Sequence, residues 1–432
     1  MEISELYKIF LEHPEITTDT RNCPEGSIFF ALKGETFNGN MFAHQALEKG
    51  CCYAVVDELC DDTKDDERVI LTDNVLLTLQ KLANFHRKAL GTKIIGVTGT
   101  NGKTTTKELI AAVLSRKYRV LYTQGNFNNH IGVPKTLLRL KPEHEIAVIE
   151  MGANHPGEIK TLVNIVEPDC GIITNVGRAH LGGFGSFEGV IRTKGELYDF
   201  LRSKHATVFI HGENEHLLGI ADGLNLVRYG AKGVTENFVG GEVLECAPFL
   251  TFSWQKNGGK EHVVATHLIG DYNIHNMLAA TAIGLTFGVP EEDICRALED
   301  YQPSNNRSQF TVTEHNRLVV DAYNANPTSM AAALKNFSAI RADRKMLILG
   351  TMGELGEVSA EEHQKILDII STMVVEEVWL VGDGFAALSH PYRQFANVEE
   401  VREAILSERP NGMFILIKGS NSQKLFTLPE IL

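Results

Sequence analysis

From Lys93 onward, short runs of continuous apolar, β-branched residues alternate with stretches whose apolar residues recur at helical spacing. "KIIGVTG" precedes the helix-forming sequence after Lys103, "EIAVIEMG" precedes "HPGEIKTLVNIV", and "DCGIITNVG" precedes "SFEGVIRTKGELYDFL". Strands apolar on both faces, each followed by a helix, predict a parallel sheet covered on both sides. A second such series starts after "QPSNNRSQF", with "RLVVDAYNA", "KMLILG", "EEVWLVGDG" and "GMFILIKG" as its strands. Ahead of both, "GSIFFAL", "YAVVD", "FAHQALEKG" and "LLTLQKLANFHRKAL" read as a small separate α/β unit. Residues 223 to 268 are rich in β-type residues and predict an antiparallel extension, followed by helical "NIHNMLAATAIGLTFG" and "PEEDICRALEDYQP". The fold class is therefore α/β, in three domains covering 1–86, 87–303 and 304–432.

Composition narrows the function. With 43% apolar and 22% charged residues, the 432-residue chain has the make-up of an ordinary globular protein. A net charge of −14 and no basic cluster argue against a nucleic-acid or anionic-membrane surface, so anionic ligands must be met by local sites. The acidic "DELCDDTKDDE" reads as a solvated segment. Seven cysteines without paired CxxC spacing fit free thiols in a reducing cytoplasm and argue against zinc. "MEISELYKIF" lacks the character of a signal peptide, no apolar run approaches a membrane span, and a monomer is the default.

The chemistry is concentrated in "IIGVTGTNGKTTTKELI", residues 94 to 110. An apolar strand, a Gly-rich loop and a helix in succession form a phosphate-binding arrangement. Gly99 and Gly102 let the backbone approach a polyphosphate, Lys103 can reach the β- and γ-phosphates, and the Thr104 hydroxyl can hold Mg²⁺. Yet the usual Gly-x₄-Gly-Lys-Ser/Thr pattern would place its first glycine at Val97. "EIAVIE" ends a strand in Glu150, a position from which a nucleotide's magnesium is held.

Lys194 falls within the apolar stripe formed by Phe187, Val190, Ile191, Leu197, Tyr198 and Leu201 on a helix starting near Ser186. Either its ammonium snorkels to a surface, or the buried amine is neutral and takes up CO₂ as a carbamate that ligates magnesium. His180, in the preceding Gly-rich loop, is structural or metal-binding. Asn273 and Asn276 in "YNIHN" can read a base or cap a helix. Asp321 ends a strand in "VVDAYNANP", placed to accept from ribose hydroxyls, with Asn324 and Asn326 in the loop beyond.

These segments together resemble the Mur ligase family, the ATP-dependent amide ligases that build the peptidoglycan stem peptide. "GTNGKTT" at 99 to 105 is similar to that family's variant phosphate loop, which accounts for Val97. "TTDTR" and "PEGSIFFALKGETFNGN" resemble its N-terminal module. "GNFNNHIGVP", "EMGANHPGEI", "AHLGGFGS" and "TKGELYDF" resemble its central domain, and "DAYNANP" and "MGELG" its C-terminal domain. The resemblance implies a small UDP-binding module, a central P-loop-type parallel-sheet ATPase domain and a C-terminal Rossmann-like domain. "GANHPGEI" and "DAYNANP", with no DNPR-like segment, are similar to the branch whose substrates are UDP-N-acetylmuramoyl-tripeptide and D-alanyl-D-alanine. The alternatives are another amino-acid-adding or folylpolyglutamate-type ligase and, from a different class, a P-loop regulatory ATPase.

By the same resemblance, Gly99, Thr100, Asn101, Gly102, Lys103, Thr104 and Thr105 hold the ATP phosphates. Thr104 and Glu150 hold a first Mg²⁺, and His180 with carbamylated Lys194 a second. Asn273 and Asn276 lie at the adenine, Arg307 at the γ-phosphate and Asp321 at the ribose, with Asn324 and Asn326 also counted as ATP-binding. Asn128 and Asn129 line the peptide channel, while Thr20, Arg21, Lys33, Gly34, Thr36 and Asn38 surround the uridine diphosphate. Three positions depart from the family pattern: Asn306 before Arg307 in place of Gly, Thr351 where Asp is common, and Asn40 in place of His or Asp. The resemblance assigns no role to Lys418, Ser420 or Lys424 in "KGSNSQK".

Overall fold

The structure, a computed structural model, describes residues 1–303 and 307–432; Asn306 lies outside the described residues. Among the described residues there are three sheets, each organising one α/β domain. The first sheet has four strands in sequence order, Ile16–Thr17, Ile28–Phe30, Tyr53–Val56 and Val69–Leu71, all parallel. Phe29, Ala31, Ala54 and Val56 bury one face of it under Ala43, Ala46 and Leu47 of the helix Ala43–Glu48.

The second sheet has nine strands. From one edge these are Glu261–Ile269, Phe249–Lys256, Val239–Cys246, Asn225–Ala231, Thr207–His211, Cys170–Ile173, Lys93–Thr98, Ile146–Glu150 and Val120–Tyr122. The predicted extension is antiparallel only in its last three strands, because Asn225–Ala231 pairs parallel with both Thr207–His211 and Val239–Cys246. Residues 232 to 238 therefore carry the chain back across the sheet rather than closing a hairpin, which β-propensity alone does not distinguish.

The third sheet runs Gln309–Val312, Arg317–Asp321, Phe414–Lys418, Lys345–Gly350, Glu377–Val381 and Arg393–Phe395. Its strands alternate between two cores. Val319, Leu347, Leu349 and Leu416 pack on one face against Met330, Leu334, Ile366 and Leu367. Leu318, Val320, Met346, Ile348, Ile415 and Ile417 pack on the other against Val401 and Ile405. Burial on both faces explains the unbroken apolar runs, at roughly 1.5–3 kcal/mol for each large side chain removed from water.

By compactness the chain divides into two units. One is Met1–Gly96 with Tyr118–Gly152 and Glu158–Cys170; the other is Val97–Lys117 with Ala153–Gly157 and Gly171–Leu432. No helix among the described residues is long and apolar enough to cross a membrane.

Candidate active site

In the larger unit, the strand ending at Thr98 turns through four residues into the helix Lys103–Leu114. Gly99 has φ +143°, and a Cβ there would collide with the Thr174 hydroxyl. Gly102, at φ +74°, would bring a Cβ to 2.8 Å from Asn276 Oδ1. The two glycines of the motif thus serve both backbone conformation and close approach.

The loop backbone is braced by the segment after Cys170–Ile173. Thr100 N–H donates to the Asn175 carbonyl (2.9 Å) and Asn101 N–H to Asn175 Oδ1 (3.0 Å). The Asn101 carbonyl accepts from the Thr174 hydroxyl (2.6 Å) and the Asn175 amide (3.1 Å). Gly177 N–H donates to Thr100 Oγ1 at 3.0 Å. The helix starts at Lys103 with no side-chain cap, and its positive dipole end faces the loop. Lys103 Nζ donates to the carbonyls of Gly99 and Thr100, each at 2.9 Å. Thr104 is buried and Thr105 half-buried in that first turn.

Asn273 and Asn276 are both buried and bonded inside the protein. Asn273 Nδ2 donates to the Ile269 carbonyl (2.8 Å), Asn276 Nδ2 to Asn273 Oδ1 (2.8 Å), and the Thr106 hydroxyl to Asn276 Oδ1 (3.0 Å). Asn276 therefore ties the helix Ile274–Thr286 to the phosphate-loop helix.

The helix Phe187–Ser203 begins where the stripe placed it, with Ser186 Oγ accepting from Gly189 N–H at 3.1 Å. Lys194 is 2% exposed. Its Nζ donates to the Ala153 carbonyl at 3.3 Å and lies 5.4 Å from the centre of the Phe184 ring, a cation–π distance. His180, in the left-handed region at φ +52°, pairs through Nδ1 with the Glu354 carboxylate. Arg178 pairs with the buried Glu362 at 3.1 Å.

Asp321 ends its strand with both carboxylate oxygens engaged: Oδ2 by Lys418 Nζ at 2.5 Å and Oδ1 by the Ser308 N–H at 3.3 Å. Lys418 is 1% exposed and also donates to the Asn324 carbonyl, so it pins the loop between Asp321 and Asn326. Asn324 Oδ1 accepts from Ala325 N–H, and Asn326 caps the helix Pro327–Ala339. The Arg307 guanidinium stacks 3.9 Å from the centre of the Tyr323 ring. Thr351 donates to the Val381 carbonyl and accepts from Gly384 N–H, while Ser420 donates to the Thr351 carbonyl. Thr351 is thereby a structural pin joining three segments. Lys424 is exposed.

In the smaller unit, Glu150 is 1% exposed and accepts from Asn128 Nδ2 at 2.8 Å. Asn129 Oδ1 accepts from Ile131 and Gly132 N–H, shaping the entry to the helix Gly132–Leu137. Lys33 and Asn38 bridge a turn that holds Gly34 and the exposed Thr36. Lys33 pairs with Asp57 (2.9 Å) and Glu58 (3.3 Å), and Asn38 donates to Glu58. Asn40 is buried, donates to Asp57 Oδ1 and accepts from Asp57 N–H, so it braces this turn from beneath. Arg21 grips Asp19 through its fork, which holds that carboxyl down at about 2; the Thr20 carbonyl accepts from Lys49.

Among the described residues no three His, Cys, Asp or Glu side chains are grouped to hold a metal ion. The Thr104 hydroxyl and Glu150 carboxylate have the oxygen chemistry magnesium takes, whereas a lysine ammonium has only donors and fits no cation.

The Mur ligase middle domain family matches residues 97–284, and the Mur ligase, glutamate ligase domain family matches residues 306–421. UDP-N-acetylmuramoyl-tripeptide--D-alanyl-D-alanine ligase of Bacillus subtilis is 35% identical, over 98% of this chain and 95% of that protein. The chain belongs to the Mur ligase family. The Haemophilus influenzae protein of the same name is 33% identical over 95% and 92% of the two chains. A crystal structure of MurF from Acinetobacter baumannii superposes with a TM-score of 0.87 at 32% identity, covering 96% of this chain and 92% of that one.

Two elements of this Mur ligase escape a reading of the sequence. Thr174 and Asn175 brace the phosphate loop from over 70 residues away and carry no local signature. Lys418 did carry one: a lysine closing the apolar run "FILIK" needs an anionic partner, and the half-buried Asp321 is that partner.

Proposed function

We propose that the chain is an ATP-dependent amide ligase that joins D-alanyl-D-alanine to UDP-N-acetylmuramoyl-tripeptide in peptidoglycan precursor synthesis. The observation that carries this reading is a built phosphate loop, glycine-shaped and braced, within a chain matched along almost its full length by proteins named for that reaction. In the reaction, the terminal carboxylate of the tripeptide attacks the γ-phosphorus of ATP and ADP leaves. The amine of D-alanyl-D-alanine attacks the acyl phosphate carbonyl, and the tetrahedral intermediate expels phosphate as the amide forms. Activation is needed because a free carboxylate has no adequate leaving group. The protein's part is to place the partners and neutralise charge.

Its residues divide that work. First-turn N–H groups of the helix at Lys103 receive phosphate oxygens, and Lys103 turns from the Gly99 and Thr100 carbonyls to the β- and γ-phosphates. Asp321, held by Lys418, accepts from ribose hydroxyls, while Asn273 and Asn276 stand on the adenine side and Arg307 toward the γ-phosphate. Mg²⁺, when bound, screens the phosphate charge; Thr104 and Glu150 are its oxygen donors. His180 and Lys194 would serve a second ion, Lys194 as a carbamate: its amine nitrogen would bond to the carbon of CO₂ and give up a proton to solvent, converting a donor-only group into an oxygen ligand. Thr20, Arg21 and the Lys33–Asn38 turn receive the uridine diphosphate, with Asn128 and Asn129 on the peptide side. ATP and UDP-linked substrates support a cytoplasmic enzyme, and a monomer is the default.

The test is ADP release by purified protein given ATP, Mg²⁺, UDP-N-acetylmuramoyl-tripeptide and a panel of amines, in bicarbonate and in CO₂-free buffer. Release driven by D-alanyl-D-alanine is expected, slowed without CO₂ and restored by bicarbonate. Release driven by L-glutamate instead would reject D-alanyl-D-alanine in favour of another acceptor, and release that needs no amine would reject the ligase reading in favour of a regulatory ATPase. Equal rates without CO₂ would reject the carbamate alone.

A further inference from the structure

A phosphate loop binds through its backbone, so whatever fixes the loop tip decides how well the N–H groups are aimed. The backbone of Asn101, at that tip, is held by Thr174 and Asn175. Its side chain is held by a residue 225 positions away. Asn326 Nδ2 donates to Asn101 Oδ1 at 2.7 Å, and Asn101 Nδ2 faces Asn326 Oδ1 at 3.5 Å. The orientation of the Asn326 amide is set independently: its Oδ1 accepts from Ser329 N–H at 2.9 Å as the helix cap, which turns Nδ2 toward Asn101.

Asn326 is 6% exposed and sits on a loop that Lys418 anchors through Asp321 and the Asn324 carbonyl. Beside it, a Cβ on Gly177 would meet Thr328 Oγ1 at 3.2 Å and Thr100 Cγ2 at 3.4 Å, so the two loops are close-packed as well as hydrogen-bonded.

We propose that Asn326 is a positioning residue for the phosphate loop, acting through Asn101 rather than by touching the nucleotide. The inference rests on the ATP-dependent ligase reading and deepens it. The "DAYNANP" loop of the C-terminal domain completes the phosphate-binding loop of the central domain, so the amide pair makes nucleotide grip depend on both domains.

The test is a double-mutant cycle on full-length protein with N326S, N101S and N326S/N101S, measuring steady-state kinetics for ATP at saturating tripeptide and D-alanyl-D-alanine. Serine at 326 keeps a capping oxygen and loses the amide donor. Each single variant is expected to lower kcat/KM for ATP by about tenfold, the scale of one partly buried hydrogen bond, and the double variant to be no worse than either. Melting temperature separates this from a merely structural role, because N101S leaves the helix cap intact and should melt with wild type while still losing ATP efficiency. Multiplying effects in the double variant would make Asn326 an independent nucleotide contact, and an unaltered N101S would also overturn the proposal. Wild-type protein without amine-dependent ADP release would instead fail the ligase reading, and the amide pair would then be judged by ADP affinity: equal weakening in N101S, N326S and the double variant supports it, and unaltered affinity overturns it.

Discussion

The phosphate loop at 99–102 and the turn at 33–38 are both short polar connections after an apolar strand, and both are held by residues distant in sequence. They are held differently. Around the phosphate loop, Thr174 and Asn175 bind backbone N–H and C=O groups, and glycines make the space. In the turn, Asp57 and Glu58 bind the side chains of Lys33 and Asn38, which a ligand would have to share or displace. A loop braced chiefly at its backbone is pre-shaped for an anion, and the Asn101 side chain on Asn326 adds to that hold. A turn braced by partly exposed charge pairs depends on solvent-screened interactions that contribute little.

The largest way to break this contrast is at Gly99. Alanine there must move the Thr174 hydroxyl off the Asn101 carbonyl and adopt a strained backbone at φ +143°. Those losses together cost about 3 kcal/mol, a fall of about 100-fold in kcat/KM for ATP. G99A/T174A should recover part of it in the same assay, because the smaller residue vacates the space. Full activity in G99A would mean the brace is irrelevant.

The smallest effect belongs to the turn. Burial alone would raise the Asp57 carboxyl, but Lys33, Asn40 and the Val75 N–H outweigh it and hold the group below its ordinary 3.8. A carboxyl lowered by folding contributes stability above its unfolded value and loses it as pH falls through the folded one. D57N should therefore lower Tm by no more than about 3 °C at pH 7, with the difference from wild type closing below pH 3.8. A gap that widens in acid would reverse the assignment.

What the sequence made legible follows the same division. The Gly99, Gly102 and Lys103 motif can be read because residue type and spacing over a few positions decide the conformation. The helical stripe placed Lys194 inside the protein, and it is buried there. Three α/β domains followed from strand and helix alternation. The bracing of the loop could not be read, because Thr174, Asn175 and Asn326 reach it through topology. Nor could the internal bonds of Asn273 and Asn276 be read, which join them to Ile269, to each other and to Thr106. Whether Asn225–Ala231 would pair parallel was likewise set by how the chain returns across the sheet.

In the proposed reaction the braced loop delivers a phosphoryl group to a peptide carboxylate. Labelling that carboxylate of UDP-N-acetylmuramoyl-tripeptide with ¹⁸O and analysing the phosphate released with ATP and D-alanyl-D-alanine tests this transfer. The carboxylate oxygen that attacks phosphorus stays with it when the amide forms, so one labelled oxygen should leave in phosphate per turnover. Unlabelled phosphate accompanying amide formation would contradict phosphoryl transfer to that carboxylate.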